Sequence, residues 1–351
     1  MSRAEAQRRG EEGGVKMNMQ FFSDYLDDYK SKHKSKIGDI VKAGKFSREI
    51  DYRELQVKWD AIKAFFKLNA EAYELFKQAA TGLELKRITQ LNSSSLFAFL
   101  FFHTVSKNNR VKITGFEDEF TNVAFEVSNT ICENTLMIGE DTLMKEYKGR
   151  KPDSHIDVVL YNDNTALLLE CKFSEYLEHY SPAPAKAARR AYEKFYKMLF
   201  VDNGGIDGLM MDTDSKDNKV VTIKGTNGES CYFDGLKQTI AHFMGAQGIL
   251  DSGSKIKQFD FAGKEIHLAE VVFDFSNYNL PLDEEGKERQ NALNDYKKFH
   301  NRLCKKLTTV KVTGGRDIIV HPDLLCYQND FELELPSSFV ELYNLPAEKL
   351  R

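Results

Sequence analysis

Lys151-Pro-Asp-Ser-His-Ile-Asp-Val-Val-Leu-Tyr-Asn-Asp-Asn-Thr-Ala-Leu-Leu-Leu-Glu-Cys-Lys-Phe173 carries two apolar-rich runs, Ile156 to Tyr161 and Thr165 to Phe173, on either side of Asn162-Asp163-Asn164. Asn and Asp tolerate left-handed backbone and favour tight turns, so the stretch predicts a β-hairpin. Side chains alternate along a strand. Ile156, Val158, Leu160, Leu167, Leu169, Cys171 and Phe173 therefore share one wholly apolar face, which must be core. Asp157, Val159, Tyr161, Ala166, Leu168, Glu170 and Lys172 share the other, expected to be half-buried. A two-residue loop, Asp163-Asn164, sets Asp157 directly across from Glu170, with Cβ atoms about 5 Å apart. A three-residue loop without a bulge would send the two carboxylates to opposite faces.

Opposed carboxylates on one sheet face repel each other. A hard divalent cation resolves the conflict, since Mg²⁺ accepts oxygen from one or two carboxylates and keeps waters for chemistry. Lys172, two residues beyond Glu170, points the same way, where its ammonium can orient a water and offset charge on a phosphate. The plainer reading is a surface strand on which Glu170 and Lys172 make ordinary ion pairs.

Asp157 followed by Glu170-Cys171-Lys172 resembles the signature of the PD-(D/E)XK nuclease superfamily. As a bare pattern it recurs by chance in a chain that is 29% charged; the hairpin context and the apolar opposite face add to it. The resemblance implies an α/β fold, a restriction-endonuclease-like mixed central β-sheet flanked by helices. It implies hydrolysis of DNA phosphodiesters with Mg²⁺, or Mn²⁺ as a substitute. Asp157 and Glu170 would hold the metal, the backbone carbonyl of Cys171 would add a ligand, and Lys172 would position the attacking water. Superfamily sites often gain an acidic residue from the segment before the Asp strand, and Glu126 is the candidate, with Glu119 its competitor. Asp153, after Pro152, is the substitute if Asp157 is not in the strand. The RecB-type branch places a Gln, then a Tyr four residues on, on the helix after the Lys strand. Gln238 matches the first, whereas His242 stands where the Tyr would be. The Asn92-Ser93-Ser94-Ser95 element before a Phe-rich helix is also similar to a group of uncharacterised bacterial restriction-endonuclease-like proteins, although capping alone explains the serines.

The chain has 351 residues, 42% hydrophobic and 12% aromatic, enough for a substantial core. A formal net charge of −4 excludes a general polycationic surface, so a nucleic-acid ligand would need local basic patches. Lys145, Lys148, Arg150 and Lys151 before the hairpin, and Lys186, Arg190, Lys194 and Lys197 on one face of a predicted 185–200 helix, are the candidates. A solvated helix face explains the second set somewhat better when it is taken alone. Cys132, Cys171, Cys231, Cys304 and Cys326 are odd in number and lack a Cys-x-x-Cys pair, against a disulfide framework or zinc ribbon. His300 and Cys304 lie one turn apart on a predicted 283–307 helix, with no second pair near in sequence to complete a zinc site. The longest apolar run, Leu96 to Phe102, is too short to span a bilayer, and the N-terminus has no apolar signal core, so a cytoplasmic protein without a membrane partner is expected.

The chain divides into a tail (1–17), a helical N-terminal region (18–90) and a nuclease-like core (91–351) with an insertion around 202–233. Phe21, Phe22, Tyr25, Leu26 and Tyr29 suit a first helix, and Trp59, Ile62, Phe65 and Phe66 a core stripe of a second. Leu96 to Phe102 is apolar all round and predicts a buried helix against the sheet. Thr121 to Asn129 is the expected first core strand, 220–233 a second hairpin around Asn227-Gly228, Glu270 to Phe275 a further strand and Ile318 to Cys326 the last. The partner expected is DNA, with a homodimer as the candidate assembly. Two other classes remain open: a catalytically silent nucleic-acid-binding module of the same fold, and a structural α/β partner-binding protein.

Overall fold

A computed structural model describes residues 60, 62–64, 66–79, 93–130, 136–138, 141–143, 153–173, 209–213, 219–224, 230–231, 239, 242–243, 245–247, 255–256, 259–275, 284–312 and 317–346. Its centre is a mixed sheet of β1 (Asn122–Thr130), β2 (Asp153–Tyr161), β3 (Thr165–Lys172), β4 (Glu265–Val272), β5 (Ile319–Val320) and β6 (Leu325–Cys326). The order is β5-β4-β3-β2-β1, with β6 also on β4. β1, β2 and β3 form an antiparallel meander, whereas β4 runs parallel to β3, β5 and β6.

The hairpin has the expected register. Tyr161 pairs with Ala166 and Val158 with Leu169, leaving Asp163-Asn164 as the two-residue loop. Asn162 makes the turn: its Oδ1 accepts the N–H groups of Asn164 at 2.8 Å and Thr165 at 2.7 Å. The Lys264 ammonium donates to the carbonyl of Asp163 at 2.9 Å, and the Glu265 N–H to that of Asn164 at 2.8 Å, so the hairpin tip also fixes where β4 begins.

The expectation of a half-buried second face holds at Asp157 and Tyr161 of β2 and is corrected for β3. Val159, Ala166, Leu168, Glu170 and Lys172 are all buried, as is every residue of β3. The reason is position: β3 has a strand on each side and helical residues over the polar face. Strands buried on both faces read as continuous apolar runs, as Ala166-Leu167-Leu168-Leu169 does.

The apolar face is covered by α2 (Ser94–Phe102), after α1 (Ala70–Ala79). Leu96 to Phe102 are buried without exception, and Ser93 caps the helix with an Oγ accepting the Leu96 N–H at 3.4 Å. Phe97 sits 4.9 Å from Phe173, 5.2 Å from Phe273 and 4.7 Å from Tyr327 between ring centroids. Behind it lie Phe339 at 5.3 Å, on α4 (Ser337–Leu342), and Tyr343 at 4.7 Å. Of the expected N-terminal core stripe, Ile62 and Phe66 are buried; Trp59, Phe65 and the 18–34 helix lie outside the described residues.

Other boundaries moved. The strand expected at Glu270 to Phe275 is Glu265–Val272, its start hidden because Glu265 and His267 interrupt the apolar pattern. The expected last strand is two short ones, Ile319–Val320 and Leu325–Cys326, separated by His321-Pro322-Asp323, where the proline supplies no N–H to a ladder. The expected second hairpin is the last two strands, Lys219–Lys224 and Ser230–Cys231, of a three-stranded antiparallel sheet that begins with Leu209–Thr213. Among the described residues, no helix is long and apolar enough to cross a membrane.

His103 closes α2 with its ring 5.5 Å from Phe99 and its Nδ1–H donating to the Leu100 carbonyl at 2.9 Å. Burial lowers its pKa to about 4, from an ordinary 6.5. The unfolded chain therefore takes up a proton the folded one refuses; this contribution is complete above pH 6.5 and is lost as the pH falls towards 4. Thermal melts across that window are expected to show a falling midpoint that flattens in His103→Phe. Parallel curves for the two proteins would remove His103 from the account.

Candidate functional site

β2 and β3 part company at the site. Asn162–Thr165, Leu160–Leu167 and Val158–Leu169 are the closely bonded rungs of the hairpin, and the next would be Ile156–Cys171. There the Cys171 N–H donates instead to Asp157 Oδ2 at 2.7 Å. The carboxylate thus replaces a main-chain acceptor, which fixes its orientation beside Glu170.

On the other side of β2, Phe125 pairs with Val158 and Val127 with Ile156, so Glu126 takes the position opposite Asp157. Glu126 is buried, and its φ of 48° lies in the left-handed region that glutamate seldom adopts. On β4, Glu270 pairs in register with Glu170. Glu126, Asp157, Glu170 and Glu270 therefore form one row across four neighbouring strands.

Each acid is handled differently. Glu170, 2% exposed, has Oε1 against the Lys172 ammonium and Oε2 against His242 Nε2. Burial alone would raise its pKa, but Lys172 and then His242 outweigh that and hold it at about 2, so it is a carboxylate. Asp157 is pushed well above its usual range by burial and then by Glu170 and Glu126; Lys172 and the Cys171 N–H oppose this only in part. Glu270 accepts from Thr239 Oγ1 at 2.8 Å and from the Tyr296 hydroxyl, with His300 Nε2 at 3.6 Å. Tyr296 and His300 lie one turn apart on α3 (Glu284–Leu307), which with Thr239 and His242 covers this face.

Of the residues expected from the sequence, Asp157, Glu170, Lys172, the Cys171 backbone and Glu126 are brought together. Glu119 is exposed and paired with Arg110 at 3.4 Å, apart from the row. Asp153 opens β2 opposite Thr130, four residues before Asp157. Gln238, the basic 145–151 segment and the 185–200 helix lie outside the described residues. His300 and Cys304 do meet, Sγ to Nε2 at 3.4 Å, but burial pushes the Cys304 thiol up, so it remains a thiol. Sequence reasoning missed Glu270, Tyr296, Thr239 and Ser154. Glu270 carried a faint signal as an acid opening an apolar strand, but only the register with β3 gives it meaning.

The row holds carboxylates in excess, and Asp157 resists ionisation because of burial first, and then because of Glu170 and Glu126. Among the described residues, no three His, Cys, Asp or Glu side chains are grouped so as to hold a metal ion, and Lys172 and His242 supply the positive side of the balance. Comparison with protein-family models, with curated proteins and with solved structures found no match to the chain.

Proposed function

We propose that this chain is a metal-dependent deoxyribonuclease of the PD-(D/E)XK type with a restriction-endonuclease-like fold, a restriction-type endonuclease acting on DNA in the cytoplasm, with a homodimer as its candidate assembly. The observation that carries the reading is the register of the hairpin: it sets Asp157 opposite Glu170, with Lys172 on the same side, Glu170 and Lys172 buried and Asp157 half-buried within a mixed sheet. A structural sheet centre has no use for a row of carboxylates in which burial, and then Glu170 and Glu126, push Asp157 well above its usual range. Asp157, Glu170 and the Cys171 carbonyl would hold Mg²⁺ or Mn²⁺, with Glu126 alongside. Bound there, the ion supplies charge stabilisation at the phosphate and lowers the pKa of an attacking water. Lys172 orients that water and offsets negative charge as it develops. The Cys171 N–H keeps Asp157 turned towards the site. Gln238, following the RecB-type pattern, would reach the site or DNA from the helix bearing His242.

The test is cleavage of supercoiled and linear DNA with Mg²⁺ or Mn²⁺. Wild type is expected to nick or linearise plasmid, and Asp157→Ala to lose that activity by roughly a thousandfold, within the range for removal of a group acting in the transition state. Folded wild-type protein that retards DNA but leaves it intact would support the silent binding module. Failure to bind or cut DNA would leave the structural reading.

A further inference from the structure

We infer that His242 competes with the divalent cation for Glu170, so that a cation enters this site only by displacing the imidazole. The inference rests on the reading of Glu170 as a metal ligand and adds the device that controls its access.

Both oxygens of Glu170 are engaged, and the two partners differ in kind. Lys172 belongs to the same strand and reaches Oε1 from two residues away. His242 comes from a separate helical segment and takes Oε2. The two atoms are in close contact, and neither Glu170 Oε2 nor His242 Nε2 makes a hydrogen bond among the described residues. The ring is 4% exposed and is steered from its other nitrogen, since Nδ1 lies 2.9 Å from Oγ of Ser154, itself 2% exposed. Ser154 belongs to β2, the strand that bears Asp157.

The segment is held a second time one turn away. Thr239, three residues before His242 and so on the same helix face, donates to Glu270 at 2.8 Å. Glu270 and Glu170 are register partners on adjacent parallel strands. Two side chains of one helical turn are thus fixed on two neighbouring carboxylates, and Ser154 fixes the ring plane. A ring contacted at both nitrogens, on a segment anchored again through Thr239, is a built contact rather than a chance approach. Its removal from Glu170 Oε2 must break a buried contact between a carboxylate and a ring nitrogen, and the affinity for a cation is lowered by the cost of that rupture.

Mn²⁺ binding to the full-length protein, followed by calorimetry and by the electron paramagnetic resonance signal of free Mn²⁺, tests the inference without requiring turnover. His242→Ala is expected to bind Mn²⁺ roughly 10- to 100-fold more tightly than wild type, the order of magnitude expected when a buried polar contact to a carboxylate no longer has to be broken. Ser154→Ala is expected to shift affinity in the same direction by less, and Glu170→Gln to lose the site. If His242→Ala binds Mn²⁺ no more tightly than wild type while Glu170→Gln still loses it, His242 is not a competitor; the inference falls and the nuclease reading stands. If none of the proteins binds Mn²⁺, both fall. Should circular dichroism show that His242→Ala does not fold, Ser154→Ala decides: unchanged affinity overturns the competition.

Discussion

Lys172→Met is expected to lose about 3–5 kcal/mol of folding stability as well as activity, because it breaks a buried ion pair from one side only. The Lys172 and Glu170 side chains are 6% and 2% exposed, so water does not replace the missing partner. Methionine conserves most of the aliphatic stem, which separates the effect of charge from that of volume. Glu170 would keep His242 alone, and its pKa would rise from about 2, since Lys172 is the largest influence holding it down. The sign follows from that. Glu170 contributes stability that is complete above its ordinary 4.5 and is lost as the pH falls towards about 2; without the lysine, that acid limb moves to higher pH. Urea denaturation at neutral pH gives the magnitude, and the double variant Glu170→Gln/Lys172→Met is expected to be more stable than Lys172→Met, because no orphaned charge remains. A loss below about 1 kcal/mol in Lys172→Met would mean the pair behaves like an exposed one and that the polar face is open to water.

Phe97→Ala is expected to cost about as much, about 3–5 kcal/mol, for an unrelated reason. The ring is fully buried among Phe173, Phe273, Tyr327, Phe339 and Tyr343, and a methyl group in its place leaves a cavity those rigid neighbours cannot close. Its position matters beyond volume. Phe173 and Phe273 directly follow the ends of β3 and β4, so Phe97 clamps from below the two strands that carry Glu170 and Glu270 above. A drop in melting temperature on the order of 10 °C is expected by calorimetry, with Phe97→Leu between the two. A shift of a degree or two would show that α2 is replaceable and that the sheet is held mainly by its other face.

The hairpin was fully legible in the sequence because three local signals agreed: a turn of Asn and Asp, an apolar face without exception, and two acids in positions that a two-residue loop makes opposite. The buried helix was legible for a similar reason, since Leu96 to Phe102 has no polar side to expose. What could not be read was everything set by pairing at a distance. Glu270 is an ordinary acid at the edge of an apolar run until β4 lies parallel to β3 in that register. His242 could be singled out by its spacing from Gln238, but its contact with Glu170 depends on how a helix docks, which no local pattern encodes. The burial of the acidic face was missed for the same reason: β3 has the composition of a central strand, but its covering helices come from later in the chain. Pro322 was visible, yet its division of the last strand became evident only against the ladder of β4.

The parallel pairing of β3 with β4 has a consequence for how the protein is made. β1, β2 and β3 lie close in sequence, whereas the partner of β3's other edge arrives only after residues 173–264. A ribosome adding roughly 5–20 residues per second takes roughly 5 to 20 s over that interval. Throughout it, Ala166-Leu167-Leu168-Leu169 has an open edge with apolar side chains on both faces, the kind of strand that recruits another chain. Glu170 is likewise without Glu270 beside it. The row of acids therefore cannot be complete on a nascent chain that ends before β4, and the exposed hairpin is where a chaperone would have to act.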